Sequence, residues 1–316
     1  MKTFSVGNFF IFFSLSMFFL DSCSYSPHET TSSSLAGKIA RGDYLVNTVC
    51  NCMHCHGGRD FTKFSGPITP GTEGKGGKYE GHGLYTANIT PSVLGNWTDD
   101  EIIRAITTGI TRAGDTLYPL MPYRCYQYLS KDDAISIVAY LRTLKSIPDS
   151  VPKRDLSSLP AGTLAYLYRI LYLNDVEKIN IQKPVDEKIA KGAYLVKIGN
   201  CSGCHSVYNG KLRAYYRDSL LSGGMQFNHP EDNIRVRAAN LTPDSATGIG
   251  TWTEETFLAK FKTYREPKAY GYNPGKYNTV MPWAILAKMT DDDIKNIYSY
   301  LRSVKAINHR VDKWPQ

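Results

Sequence analysis

The chain has little of what would mark it as membrane-embedded, disordered or disulfide-built. Its longest apolar run, inside Asn8–Leu20, is about 12 residues, against the ~20 that a bilayer span needs. Charged residues make up 21% and hydrophobic ones 42%, a globular balance that excludes a polytopic membrane protein and a disordered chain. Seven cysteines in 316 residues are too sparse for a disulfide scaffold, and their clustering suggests a bound metal or cofactor. No Ser/His/Asp or paired-carboxylate constellation stands out. The acidic runs Asp99-Asp100-Glu101 and Asp291-Asp292-Asp293 open helical patterns, where the helix dipole explains them without a metal. The loop Gly71-Thr72-Glu73-Gly74-Lys75-Gly76-Gly77 lacks the G-K-[ST] ending of a nucleotide-binding loop and reads as a plain loop.

What is present begins with a leader. Lys2 supplies a positive start and the short apolar run fits a signal-peptide core over residues 1–22. The leader ends Leu20-Asp21-Ser22-Cys23, which resembles a bacterial lipobox and makes Cys23 the expected lipid anchor; Asp21 departs from that pattern. Residues 23–34, rich in Ser and Thr, read as a tether. The remaining length suits about two domains.

Two five-residue motifs carry the chemistry: Cys52-Met53-His54-Cys55-His56 and Cys201-Ser202-Gly203-Cys204-His205. Each reads C-x-x-C-H, the attachment signal for covalently bound haem c. Two thiols one helical turn apart add to the two vinyl groups of one haem, and the following histidine faces the iron. Composition alone gives roughly 0.003 such matches per chain. Zinc ribbons place their cysteine pairs ~15–20 residues apart, whereas these stand 149 apart, each with its own histidine. A dithiol redox motif would need a βαβ pattern, which neither site has.

The sequence matches itself around these motifs. Ala40–Val46 returns as Ala190–Val196, Ala87–Pro91 as Ala239–Pro243, Trp97-Thr98 as Trp252-Thr253, Met121-Pro122 as Met281-Pro282, and Tyr140–Arg142 as Tyr300–Arg302. Each copy predicts three helices. The first spans Lys38–Val49 or Glu187–Ile198. The second starts at Thr98 or Thr253, with apolar faces Ile102, Ile103, Ile106 and Phe257, Leu258, Phe261. The third starts at Ser130 or Thr290, with stripes Ala134, Ile137, Leu141, Leu144 and Ile294, Ile297, Leu301, Val304. Gly42 and Gly192 are expected to let the first helix pack closely on Tyr140 or Tyr300 of the last. No strand-like alternation of any length appears. The expected fold is all-α: two tandem haem domains, 35–148 and 186–307, joined by a linker 149–185 with an apolar segment Leu164–Leu173 expected as a short helix, and ending in a tail 308–316.

This order of elements resembles the class I cytochrome c fold. The tandem pair, with Asn-(Ile/Leu)-Thr-Pro, Trp-Thr and Met-Pro in each copy, is similar to the multihaem cytochrome c subunits of membrane-bound alcohol and gluconate dehydrogenases. Those subunits commonly carry three haem domains, where this chain has two motifs. His56 and His205 are the expected proximal iron ligands, with Met121 and Met281 as sixth ligands; His82, Met225 and His229 compete for that place. The resemblance implies that the Pro67 carbonyl takes the proximal imidazole of the first copy. Asn88, Asn240, Trp97 and Trp252 are weighed as propionate contacts against plain turn and core packing. Cys50 and Cys125 remain after lipid and haem cysteines are assigned, and both are missing from copy two. A disulfide between them is expected, against two thiols or Cys125 as a ligand.

Two closed irons imply single-electron transfer with no catalytic residues. The expected donor is a dehydrogenase subunit or quinol-oxidising complex, and the expected acceptor an oxidase or small cytochrome. The place is the periplasmic side of a bacterial membrane, held there by the lipid anchor, with no nucleic acid involved. A dihaem peroxidase or thiosulfate-oxidising cytochrome is the alternative and needs an open iron. Net charge is +8, with residues 35–150 near balance and 186–316 clearly basic, which suits an acidic partner face.

Overall fold

The computed structural model describes residues 34–79, 84–118, 120–149, 151–152, 186–209, 214–215, 219–229 and 235–315. The leader, Cys23, His82 and the middle of the expected linker, Leu164–Leu173 included, lie outside them. The helices run α1 (Leu35–Tyr44), a π-helical turn (Leu45–Val49), α2 (Met53–His56), α3 (Pro91–Leu94), α4 (Asp99–Thr108), α5 (Tyr123–Tyr126) and α6 (Lys131–Leu141) in the first half. The second half has α7 (Glu187–Ile198), α8 (Cys201–His205), α9 (Glu254–Lys262), α10 (Trp283–Leu286) and α11 (Asp291–Ser303). Among the described residues no helix is long and apolar enough to cross a membrane.

Local signals start these helices as the sequence suggests. Thr98 and Glu101 form a reciprocal capping box on α4. Ser130, Thr253 and Thr290 each accept the amide three residues on, at the starts of α6, α9 and α11. Ile102, Phe257, Phe261, Ile137, Leu141, Ile294, Ile297 and Leu301 from the expected stripes are all buried.

Two glycines set how closely the helices pair. A Cβ on Gly42 would lie 1.9 Å from the Ser136 carbonyl oxygen, and one on Gly192 would lie 1.9 Å from that of Asn296. Only hydrogen fits there, so α1 meets α6 and α7 meets α11 backbone against backbone, beside Tyr140 and Tyr300. At the far end of each pair, Arg142 reaches the Leu94 carbonyl at 2.6 Å and Arg302 that of Gly250 at 2.7 Å. The repeated Tyr-Leu-Arg thus ties the last helix to the segment before each tryptophan.

The first helix departs from expectation. It is α-helical only to Tyr44 and then widens into the π turn, where the Cys50 amide bonds back five residues to Leu45. In copy two, the Gly199 amide bonds back four, to Leu195, and α7 ends as read. Ten residues separate Gly42 from Cys52, and nine separate Gly192 from Cys201. The π turn absorbs the extra one. Strands are also present, against the all-α expectation. Among the described residues, three antiparallel pairs join β1 (Gly77–Tyr79) with β2 (Leu84–Thr86), β3 (Tyr208–Asn209) with β4 (Ala214–Tyr215), and β5 (Gln226–Asn228) with β6 (Arg235–Arg237). Two or three residues are too few to write a period of two into a sequence.

The two halves share one apolar core, which holds Leu45, Val49 and Ile137 with Leu195, Ile198 and Ile294. They also exchange polar contacts reciprocally. Tyr44 donates to Asp293 at 2.6 Å, and Tyr194 donates to Asp133 at 2.6 Å. Each tyrosine oxygen also accepts an amide across the interface, from Thr290 and Ser130 respectively. Asp133 is further held by Nε and Nη2 of Arg41, at 2.8 and 2.9 Å, and Asp293 by Lys191 at 3.1 Å.

Candidate functional site

Both C-x-x-C-H motifs fold as one short helix each, preceded by an asparagine in the left-handed region: Asn51 at φ 51° and Asn200 at φ 52°. That residue turns the chain sharply between the first helix and the motif. The histidine closing each motif is buried, 8% exposed in both copies. His56 Nδ1 lies 2.7 Å from the Ala87 carbonyl and His205 Nδ1 2.8 Å from that of Ala239. A carbonyl can only accept, so Nδ1 carries the proton and Nε2 keeps its lone pair, the tautomer a metal needs. Burial lowers both imidazoles' affinity for a second proton, and these hydrogen bonds oppose it only in part. Both rings therefore stay neutral at pH 7.

The expected carbonyl of Pro67 plays no part in this; it accepts the amide of Asp60. The anchor comes instead from the repeated Ala-Asn-(Ile/Leu)-Thr-Pro segment, whose alanine faces the ring. Gly76 and Gly223 complete it. Each donates its amide to the carbonyl of the motif histidine, at 2.9 and 2.7 Å. Each has φ near +70° and lies where a Cβ would come within 2.5 Å of the anchoring alanine. In the sequence Ala87 and Ala239 mark only the start of a repeated segment, and Gly76 only a place in a loop. The glycine pairs Gly76-Gly77 and Gly223-Gly224, present in both copies, were the available signal.

The asparagines of that segment serve packing. Asn88 Nδ2 donates to the Ile147 carbonyl at 2.8 Å, and its Oδ1 accepts from Thr90. Asn240 does the same with Ile307 and Thr242. Of the four side chains weighed as propionate contacts, Asn240 and Trp252 line the cavity described below, but both asparagine side chains are used in these turns.

A single cavity of ≈ 1580 Å³ joins the two motifs, larger than the ~300–1,000 Å³ of an ordinary small-molecule pocket. Cys52, Cys55, His56 and Met121 line it together with Cys201, Cys204, His205 and Met281. Met121 and Met281 each precede the proline that opens α5 or α10. Met225 and His229 line it as well, His229 packing edge-on to Phe61 at 5.2 Å. Burial, helped by Cys55, pushes the Cys52 thiol up to about 12. Burial pushes Cys55 up to about 11 while Arg59 pulls the other way, and Cys204 of the other copy is near enough to add to the rise. Both motifs thus present their cysteines to the same cavity.

The lining fits the group the motifs imply. Arg59, Lys75, Lys78, Arg237, Lys260 and Lys313 line the cavity, with no Asp or Glu among the described lining residues. Burial brings Arg59 down to about 10, and its guanidinium meets the carbonyls of Ser65 and Gly66 and the Phe61 ring. Two haems would bring four propionates into this cationic, largely apolar space, with thiols and neutral imidazoles in place.

The remaining cysteines lie in the same core cluster. Cys50 and Cys125 are both buried in the shared core. Cys125 Sγ donates to Asn200 Oδ1 of the other half at 3.3 Å, a contact between the copies.

Residues 189–305 match the family model for cytochrome c. The chain is 31% identical over 292 residues to the fructose dehydrogenase cytochrome subunit of Gluconobacter japonicus, covering 89% of this chain and 55% of that one. It is 28% identical over 283 residues to the gluconate 2-dehydrogenase cytochrome c subunit of Pantoea cypripedii, covering 85% and 60%. A diheme cytochrome c-type protein of Cereibacter sphaeroides is 24% identical over 278 residues, covering 86% and 88%. The chain thus spans little more than half the length of the dehydrogenase subunits it matches. It carries a cytochrome c domain and is related to cytochrome c subunits of dehydrogenases.

Proposed function

We propose that this relative of dehydrogenase cytochrome c subunits is a dihaem electron relay, with one haem c in each of two tandem domains. Cys52 and Cys55 hold the first haem and Cys201 and Cys204 the second. His56 with Met121, and His205 with Met281, are the axial pairs. Haem iron supplies one-electron chemistry, and histidine–methionine ligation sets it to a raised potential. The chain's own residues do the rest. The Ala87 and Ala239 carbonyls fix each imidazole's orientation, the cations lining the cavity offset propionate charge, and the apolar walls exclude water. A closed coordination sphere leaves no place for substrate and limits rearrangement as the charge changes.

The observation that carries this reading is that both motifs, both anchored histidines and both Met-Pro turns open onto one cavity lined by cations. Electrons then cross between the haems inside a single polypeptide. The donor is a dehydrogenase or quinol-oxidising partner and the acceptor an oxidase or small cytochrome. The chain works on the periplasmic side of a membrane, tethered through Cys23. The test is the mature protein's haem count, by mass and haemochrome spectrum, with carbon monoxide exposure of the reduced form. Two covalent haems, both reversibly reduced and both slow to take up carbon monoxide, are expected. Fewer than two, or rapid uptake at both, would overturn it.

A further inference from the structure

The segment Phe61–Gly66, which follows the first haem motif, does not pack on its own half alone. It docks on the turn that carries Met281. Ser65 Oγ donates to the Met281 carbonyl at 2.7 Å and accepts the Ala284 amide at 3.3 Å. The Ser65 amide donates to Asn278 Oδ1 at 3.0 Å, and Asn278 Nδ2 donates back to the Phe61 carbonyl at 3.0 Å. Asn278 Oδ1 also takes the Thr279 amide, whose side chain in turn accepts the Met281 amide. Phe64 stacks on Tyr264 and Tyr272, with ring centroids 5.1 and 5.9 Å away.

Two features single out Ser65 within this network. It is fully buried, 0% exposed, and its φ is +66°, a conformation glycine adopts freely and serine only at a cost. A serine held there, with both its hydroxyl and its amide spent on the other half of the chain, points to a role for the hydroxyl. Met121 has no counterpart: its carbonyl takes the Tyr123 amide, as Met281 takes that of Trp283, and among the described residues no bond from the other half reaches it.

We propose that Ser65 is a positioning residue for Met281, so that the first half of the chain holds the sixth ligand of the second iron in place. The proposal rests on the reading of Met281 as that ligand. It makes the two sites unequal: the first methionine is held by its own half, and the second by both. Loosening the docked segment lets Met281 leave its iron without touching the first site.

The test uses the full dihaem protein as Ser65→Ala and Ser65→Gly, with Met281→Ala and Met121→Ala as references. Glycine accepts the backbone conformation while removing the hydroxyl, so Ser65→Gly folds even where Ser65→Ala does not. The readouts are the methionine-to-iron charge-transfer band of the oxidised protein and the rate of carbon monoxide uptake by the reduced one. Met281→Ala and Met121→Ala should each remove half the band. Both Ser65 variants should weaken only the half lost in Met281→Ala and speed uptake at that one haem about tenfold. A wild-type band and rate in Ser65→Gly, or equal weakening of both halves, overturns the proposal and leaves the ligand assignment standing. An unchanged band in Met281→Ala overturns the assignment itself, and the proposal with it.

Discussion

The two halves are most alike around the histidines and least alike where they meet each other. His56 and His205 are anchored by the same alanine carbonyl, braced by the same glycine and approached through the same left-handed asparagine. Away from that frame they part. The first copy has a π turn and two buried cysteines; the second has plain α-helix, with Gly199 and Ile285 in the cysteines' places. Ser65 reaches from copy one to the Met281 turn. The repeat thus keeps the histidine geometry in both copies, and the copies differ where they touch each other.

The largest effect is expected where the copies agree. Gly42→Ala and Gly192→Ala each force a methyl group into a backbone carbonyl 1.9 Å away, and backbone on both sides leaves nothing flexible to yield. Each should cost about 3 kcal/mol or more in urea unfolding of the haem-loaded protein, and by similar amounts. Tolerance at one site and not the other would show that the helix pair is not a frame common to both copies.

Much of that frame was readable because it is local. The caps at Thr98, Ser130, Thr253 and Thr290 depend on residues three apart, and Glu187–Ile198 was bounded to the residue. The repeat even carried the π turn, as one residue more between Gly42 and Cys52 than between Gly192 and Cys201. A backbone carbonyl leaves no such mark. The Ala-Asn-(Ile/Leu)-Thr-Pro repeat drew attention to Asn88 and Asn240, whereas the atoms that orient the histidines belong to the alanines beside them. Contacts between copies were hidden for another reason. Tyr44 and Asp293 lie 249 residues apart, and nothing in either neighbourhood names the other.

Those cross-copy locks give the middle effect and sharpen the comparison. Tyr44→Phe leaves the Asp293 side chain, in a residue 3% exposed, with Lys191 as its partner among the described residues. Tyr194→Phe leaves Asp133 with the two-pronged grip of Arg41. The first should therefore cost about 2–3 kcal/mol and the second nearer 1 kcal/mol. The same pair predicts an alkaline limit. Burial, with the neighbouring aspartate adding to it, raises both phenols above their ordinary value. The folded state then keeps protons that the unfolded chain gives up near pH ~10. Their contribution is whole below that pH and is lost as the pH climbs toward the raised folded values. Unfolding free energies measured from about pH 8 to 11 should fall at the alkaline end, and fall less in the double Phe variant. Equal costs for the two single variants would mean that Arg41 adds nothing to Asp133.

The smallest effect concerns the cysteines that only copy one possesses. With Cys125 as a thiol donating to Asn200, Cys125→Ser keeps a donor of nearly the same size, and the cost should stay within about 1 kcal/mol. Cys125→Ala takes the donor away from a partly buried acceptor and should cost about 1–2 kcal/mol. Cys50 makes no such bond through its sulfur among the described residues, so Cys50→Ser should differ from Cys125→Ser, burying a hydroxyl where a thiol had packed. A cross-link would behave otherwise. Loss of either partner would then cost the same ~2–5 kcal/mol, and a reductant would abolish the difference from wild type. Matching losses erased by reductant would therefore show that the first copy is stapled within itself.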